Sequence, residues 1–166
     1  MSAANPLDIL KSALLLEIRG QAFYKKAAQQ AENQTVKDFF ETMAAEEVRH
    51  VEILSEQYKS VKADGQFTAP TIEATPTGVA DKVLDDALKK HISAAGFESA
   101  AISAAMGMEE RAIKLYAQRA GEATDPQEKA LYKWLAEWEG QHLEFLARID
   151  REVTETIWND NSFWPF

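Results

Sequence analysis

Hydrophobic residues recur every three or four positions along four long stretches of the chain, the spacing of helices with one buried face. The first stretch follows Asn5-Pro6, a pair typical of an N-cap and first helical residue, and continues to about residue 31. Asn33 can cap a second helix, whose apolar stripe continues to about residue 62. The pattern therefore predicts a helical hairpin over about 7–62.

A segment containing glycine and proline separates this hairpin from the second half of the chain. Residues 63–78 hold two of the five prolines and two of the seven glycines, a composition typical of a linker. A short helix is predicted over 79–95. A second hairpin follows over about 97–156, and Asp125-Pro126 supplies the cap and first residue of its second helix.

The order of hairpin, long connection and hairpin predicts an all-α fold. The expected architecture is a four-helix bundle with one long crossover connection and a short extra helix. A chain of 166 residues suits a single domain over 1–166, and 46% apolar residues supply a sizeable core. The tail "IWNDNSFWPF" is predicted to be irregular, and it either folds onto its own bundle or seals a homodimer. Its large aromatic residues are Trp158, Phe163, Trp164 and Phe166.

Charge and composition exclude several classes of function. The formal net charge of −9 argues against nucleic acid or an anionic membrane as a partner. The absence of cysteine excludes disulfides, zinc–thiolate sites, iron–sulfur clusters and thiol catalysis within this chain. The sequence has neither a signal-peptide pattern nor an apolar run of membrane-spanning length, so the expected location is cytoplasmic.

Two of the three histidines, His50 and His142, each follow a glutamate by three residues. A shift of 92 residues superimposes the two halves of the chain without a gap. Each half then reads as a glutamate, a tyrosine seven residues later, and a Glu-x-x-His further on. The matched pairs are Glu17 with Glu109, Tyr24 with Tyr116, Glu47 with Glu139, and His50 with His142.

The spacing of this repeat predicts one shared site. In each hairpin the two glutamates are equidistant from the predicted turn, so they lie at the same depth, and residues i and i+3 share a helix face. Glu17 lies among Leu14, Leu15, Leu16 and Ile18, which argues against simple exposure. Four unpaired carboxylates cost too much in an apolar core, so cations are expected. The alternative is a pair of solvated helix faces.

At these residues the sequence resembles the rubrerythrin family of the ferritin-like superfamily, over about residues 7–156. The resemblance implies a ferritin-like bundle with a diiron-carboxylate site that reacts with peroxide or dioxygen. It also implies that Tyr24 and Tyr116 donate hydrogen bonds to ligand carboxylates, the alternative being that they only pack in the core. The implied ligands of two iron ions are Glu17, Glu47, His50, Glu109, Glu139 and His142.

Two departures from the family pattern bear on function. Rubrerythrins usually carry a rubredoxin domain with an iron–tetracysteine centre, which a chain without cysteine lacks, so an external electron donor is implied. Rubrerythrins also tend to have an extra glutamate one turn after the ligand of the third helix. That position is Ala112 here, and the neighbouring Glu110 points about 100° away on a helix.

Other residues near the repeat are interpreted as structural. Arg19 and Arg111 lie two residues from a glutamate of the repeat, so they are expected to point away from the site as surface charges. Glu46 is expected to be exposed because Trp138 occupies the matching position. Trp134 and Trp138 are interpreted as packing groups. His91, the third histidine, has no partner at metal-ligand spacing and is expected on the surface or in packing.

Two classes of function remain open. The leading hypothesis is an oxidoreductase, a peroxidase or ferroxidase that reacts ferrous iron with peroxide or dioxygen, with Glu47 and Glu139 as bridging ligands. The alternative is a protein that holds iron or zinc without turnover, or one in which metal only stabilises the bundle. Carboxylate and imidazole ligands also suit manganese and zinc.

Overall fold

The computed structural model describes residues 5–69, 88, 92 and 96–159, and the side chain of Ile157 is not part of that description. These residues form four α-helices and no strand, so the all-α prediction is confirmed. None of these helices has an apolar stretch long enough to cross a membrane. The helices are α1 (Pro6–Gln30), α2 (Gln34–Asp64), α3 (Phe97–Glu122) and α4 (Pro126–Asn159).

Side chains predicted as N-caps begin three of the helices. Asn5, Asn33 and Asp125 each accept a hydrogen bond from the backbone N–H two residues later, at 3.1, 2.9 and 2.7 Å. These contacts satisfy N–H groups that have no partner within the helix. At the other end of α2, Gly65 adopts the left-handed conformation with φ 71°, and its N–H bonds to the carbonyl of Val61.

Two predicted boundaries differ from the structure. Helix α4 continues to Asn159, so the tail is helical over 157–159 rather than irregular from its first residue. The helix continues because no proline or glycine interrupts the chain between Thr156 and Asn159. The short helix predicted over 79–95 lies outside the described residues except at Leu88, which is helical, and Ile92. His91 and residues 160–166 also lie outside them.

The four helices form two antiparallel hairpins packed against each other. Connections of three residues join α1 to α2 and α3 to α4. Between the hairpins, Tyr24 contacts Glu109 and Tyr116 contacts Glu17, so α1 and α3 run in opposite directions. Helix α2 therefore ends at the opposite end of the bundle from the start of α3. The connection between them is the predicted long crossover of a ferritin-like bundle.

The hydrophobic core has two parts, one toward each end of the bundle. One part lies around the α1–α2 turn, the start of α3 and the end of α4, and it includes Phe39, Phe40 and Leu146. The other lies around the start of α1, the end of α2 and the α3–α4 turn, and it includes Leu54 and Leu131. Between these apolar parts, the middle of the bundle contains the polar residues of the repeat.

Candidate metal centre

The structure brings the six residues of the sequence repeat together in the middle of the bundle. Each helix contributes one glutamate, and α2 and α4 each add a histidine one turn later. None of the six is more than 6% exposed, which excludes the interpretation as solvated helix faces. The six are Glu17 from α1, Glu47 and His50 from α2, Glu109 from α3, and Glu139 and His142 from α4.

These residues form two overlapping groups of potential metal ligands. Each residue of a group offers one potential ligand atom, and the four atoms of a group all lie within 4.8 Å of one another. Both groups contain Glu47 and Glu139, so two carboxylates lie between two adjacent positions. The first group is Glu17, Glu47, His50 and Glu139, and the second is Glu47, Glu109, Glu139 and His142.

Both imidazoles turn the same ring nitrogen toward the carboxylates. His50 Nδ1 lies 2.8 Å from Glu139 Oε1 and 3.1 Å from Glu17 Oε2. His142 Nδ1 lies 2.9 Å from Glu139 Oε2 and 3.8 Å from Glu109 Oε1. Glu139 is thus placed between the two histidines, and each histidine has its Nε2 on the side away from the carboxylate cluster.

The two tyrosines of the repeat connect the hairpins through the site. The Tyr24 hydroxyl on α1 donates a hydrogen bond to Glu109 on α3, and the Tyr116 hydroxyl on α3 donates one to Glu17 on α1. Both tyrosines are fully buried, so they pack in the core and also orient a carboxylate. Burial, followed by the nearby carboxylates, raises the pKa of both hydroxyls, which keeps them protonated as donors.

The expectation that Glu46 is exposed is wrong. Its side chain is only 14% exposed, and its Oε2 contacts Nε2 of His142 and accepts a hydrogen bond of 3.1 Å from Trp138 Nε1. Trp138 therefore packs, as expected, and is also a hydrogen-bond donor. The sequence repeat gave no signal for Glu46, because its partners lie on α4 and depend on how the hairpins pack.

A pocket of about 120 Å³ opens onto the carboxylates between α1 and α3. Gly20 and Ala112 leave space there, and a Cβ added to Gly20 would lie 3.3 Å from Glu47 Cδ. Arg19 and Arg111 are exposed as expected, but they line this pocket rather than point away from the site. Four pairs of its lining residues match under the 92-residue shift: Leu16 with Met108, Glu17 with Glu109, Arg19 with Arg111, and Gly20 with Ala112.

Burial and mutual repulsion alter the protonation of the carboxylates. Burial, followed by the charge of Glu139, raises the pKa of Glu47 well above its ordinary value and that of Glu109 to about 8. Burial also acts to raise the pKa of Glu139, but the neighbouring His50 and His142 outweigh it and lower that pKa. The pKa values of both histidines are raised because nearby carboxylates outweigh the effect of burial.

The arrangement fits divalent metal ions. The buried oxygens of Glu139 lie 2.8 Å from His50 Nδ1 and 2.9 Å from His142 Nδ1, but neither contact has the geometry of a hydrogen bond. These two oxygens and His142 Nδ1 therefore make no hydrogen bond among the described residues. Burying such atoms costs free energy unless a hydrogen bond or an ion compensates for the lost water. A cation between the carboxylates would provide that compensation. Four carboxylates balance the charge of two divalent ions, and oxygen with imidazole nitrogen suits iron, manganese or zinc.

The fold and the site define a class of proteins, the four-helix bundles with a central carboxylate–histidine cluster. A family model described as Rubrerythrin matches residues 8–150, which is most of the chain. The chain therefore belongs to the rubrerythrin family, as the motifs indicated. A search of curated proteins and a search of solved structures each gave no match.

The raised pKa values predict how the stability of the metal-free protein changes with pH. Between 4.5, the ordinary value, and about 8, folded Glu109 holds a proton that the unfolded chain has lost, so the free energy of unfolding falls as pH rises. The melting temperature of the metal-free protein should therefore fall between pH 5 and pH 8. The fall should be about 2–4 °C for each kcal/mol lost from the free energy of unfolding. Added metal should raise the melting temperature.

Thermal melts at a series of pH values, with and without metal, measure this effect. Glu109→Gln removes the titration of this group and is the matched control. Its metal-free profile should be less steep than that of the wild type, with the remaining slope due to Glu47 and the two histidines, whose pKa values are also raised. A metal-free melting temperature that stays constant or rises from pH 5 to 8 would contradict the prediction.

Proposed function

We propose that the protein is a non-haem diiron-carboxylate oxidoreductase that reacts ferrous iron with peroxide or dioxygen. The observation that carries the proposal is the pair of buried four-residue groups that share Glu47 and Glu139. Two positions with two shared carboxylates are the arrangement expected for a pair of bridged metal ions. Membership of the rubrerythrin family supports iron as the metal.

In this proposal each residue of the repeat has a specific role. Glu47 and Glu139 would serve both positions, because each belongs to both groups. Glu17 and His50 complete one position, and Glu109 and His142 complete the other. Two bound ferrous ions would supply the two electrons that, together with two protons, reduce one hydrogen peroxide to two water molecules. An external electron donor would be needed for repeated turnover.

The tyrosines support the ligands at the ends of the site. Tyr116 donates to one oxygen of Glu17, whose other oxygen lies 3.1 Å from His50 Nδ1. The hydrogen bond therefore restrains the carboxylate while one oxygen remains directed into the site. Tyr24 donates to Glu109 in the matching position across the repeat. A restrained carboxylate loses less conformational freedom when it binds an ion.

The pocket between α1 and α3 provides a route for a small oxidant. It reaches the Glu17, Glu47 and Glu109 carboxylates, while apolar packing covers the ends of the bundle. The absence of a side chain at Gly20 and the small side chain of Ala112 leave this opening. Arg19 and Arg111 add positive charge along the pocket of a protein whose formal net charge is −9.

The second candidate function is metal holding without turnover. Ala112 favours it, because it replaces the extra glutamate that rubrerythrins tend to have one turn after the third-helix ligand. Ala112 lines the pocket beside Glu109, so no carboxylate is available there to take over a ligand position. Iron or zinc would then be held by an unchanging set of ligands.

Anaerobic loading followed by stopped-flow mixing distinguishes the two functions. We expect two ferrous ions to bind per chain and to be oxidised together when peroxide or dioxygen is added. Rapid oxidation with a fixed stoichiometry supports the oxidoreductase. Slow oxidation without a fixed stoichiometry would instead support the metal-holding protein.

The shared and unshared glutamates should differ when each is replaced. Glu47→Ala or Glu139→Ala removes a ligand from both positions, so paired oxidation should fall to the level of free ferrous iron. Glu17→Ala or Glu109→Ala removes a ligand from one position and should leave one ion bound. Metal analysis and oxidation rates on the four variants measure the difference. Two ions and normal rates in all four variants would place the site elsewhere.

Closing the pocket should slow oxidation without removing metal. In Ala112→Leu, the larger side chain occupies the opening, so the oxidation rate should fall by roughly tenfold or more, equivalent to about 1.4 kcal/mol in the barrier. The metal content should remain two ions per chain. Ala112→Ser, which changes the volume little, is the control. An unchanged rate in Ala112→Leu would show that the oxidant enters by another route.

A further inference from the structure

The internal repeat breaks at one position beside the candidate metal centre. Glu46 precedes Glu47 on α2, and the matching residue on α4, which precedes Glu139, is Trp138. The six residues of the site and the two tyrosines obey the repeat, whereas this pair differs in both charge and shape. The break therefore places different surroundings around the two histidines.

On one side, a carboxylate contacts the outer nitrogen of a histidine. Glu46 Oε2 contacts Nε2 of His142, and Trp138 Nε1 lies 3.1 Å from both of these atoms. If Nδ1 of His142 faces a metal ion, the ring proton lies on Nε2 and is donated to Glu46. The Trp138 N–H is then directed to the same carboxylate and holds it in place.

On the other side, the outer nitrogen of the histidine has no such partner. Nε2 of His50 is buried and has no hydrogen-bond partner among the described residues. The ring packs edge-on against Trp138 and Trp134, with centroids 5.3 and 5.7 Å away. His50 is thus surrounded by indole rings at the position where His142 contacts a carboxylate.

We propose that Glu46 is a positioning residue that makes the two metal positions unequal. A carboxylate that accepts the outer N–H of a metal-bound imidazole orients the ring and makes its other nitrogen a stronger ligand. The position of Glu109 and His142 therefore binds a divalent ion more tightly than the position of Glu17 and His50. This inference rests on the proposed two-metal site.

Stepwise titration of the metal-free protein with Co²⁺, followed by calorimetry and visible absorption, tests the inference. The wild type should show two unequal dissociation constants. In Glu46→Gln, a variant of nearly the same shape, the tighter constant should weaken by about 10–100-fold, the usual effect of losing such a partner. The weaker constant should change little. Glu52→Gln, an exposed glutamate on the same helix, is the matched control and should leave both constants unchanged.

A second variant and a spectroscopic measurement separate this role from a general loss of structure. Trp138→Phe removes the donor that holds Glu46, so it should weaken the same constant to a smaller extent. In the Co²⁺-loaded protein, the paramagnetically shifted N–H resonance of His142 should move in Glu46→Gln, whereas that of His50 should not.

Different results would overturn different parts of the account. Equal constants in the wild type, or an equal weakening of both constants in Glu46→Gln, would overturn the role of Glu46 while leaving the two-metal site intact. Failure of the wild type to bind two ions would overturn the proposed site, and this inference with it.

Discussion

The burial of four carboxylates in one layer of the bundle is the constraint on which the rest of the structure depends. Apolar clusters lie on both sides of that layer, so water cannot solvate the charges as it would on a surface. Without metal, protons must be shared among the glutamates and histidines, which is why the pKa values of Glu47 and Glu109 are raised while that of Glu139 is lowered. Such a layer favours cation binding over an apo state.

The two hairpins depend on each other at this layer. Each tyrosine extends from one hairpin to a glutamate on the other, so the carboxylates are oriented only when both hairpins are packed together. Gly20 lies next to Glu47 within the first hairpin, and the packing of the second hairpin against it forms the pocket between α1 and α3. The interface between the two hairpins therefore orients Glu17 and Glu109 and also forms the pocket that leads to them.

The six residues of the site match between the two halves of the chain, whereas Glu46 and Trp138 do not, and this difference has a chemical consequence. Two equivalent halves would give two equivalent ion positions, because each histidine would have the same neighbours. Glu46 and Trp138 differ: of the two histidines, Glu46 contacts His142 alone, whereas Trp138 contacts both. In the proposed two-metal site, a difference at one pair of repeat positions would therefore separate the properties of the two positions while the six proposed ligands remain symmetric.

The sequence by itself determined the four helices, the N-caps of three of them and the six residues that meet in the middle of the bundle. Those features depend on local rules: asparagine and aspartate cap helices, and equal spacing from a turn places Glu17 level with Glu47. Only the tertiary structure decided the contact of Glu46 with His142 and the place of Arg19 beside the pocket. Those contacts depend on the rotation and separation of helices in different hairpins, which no periodicity within one helix specifies.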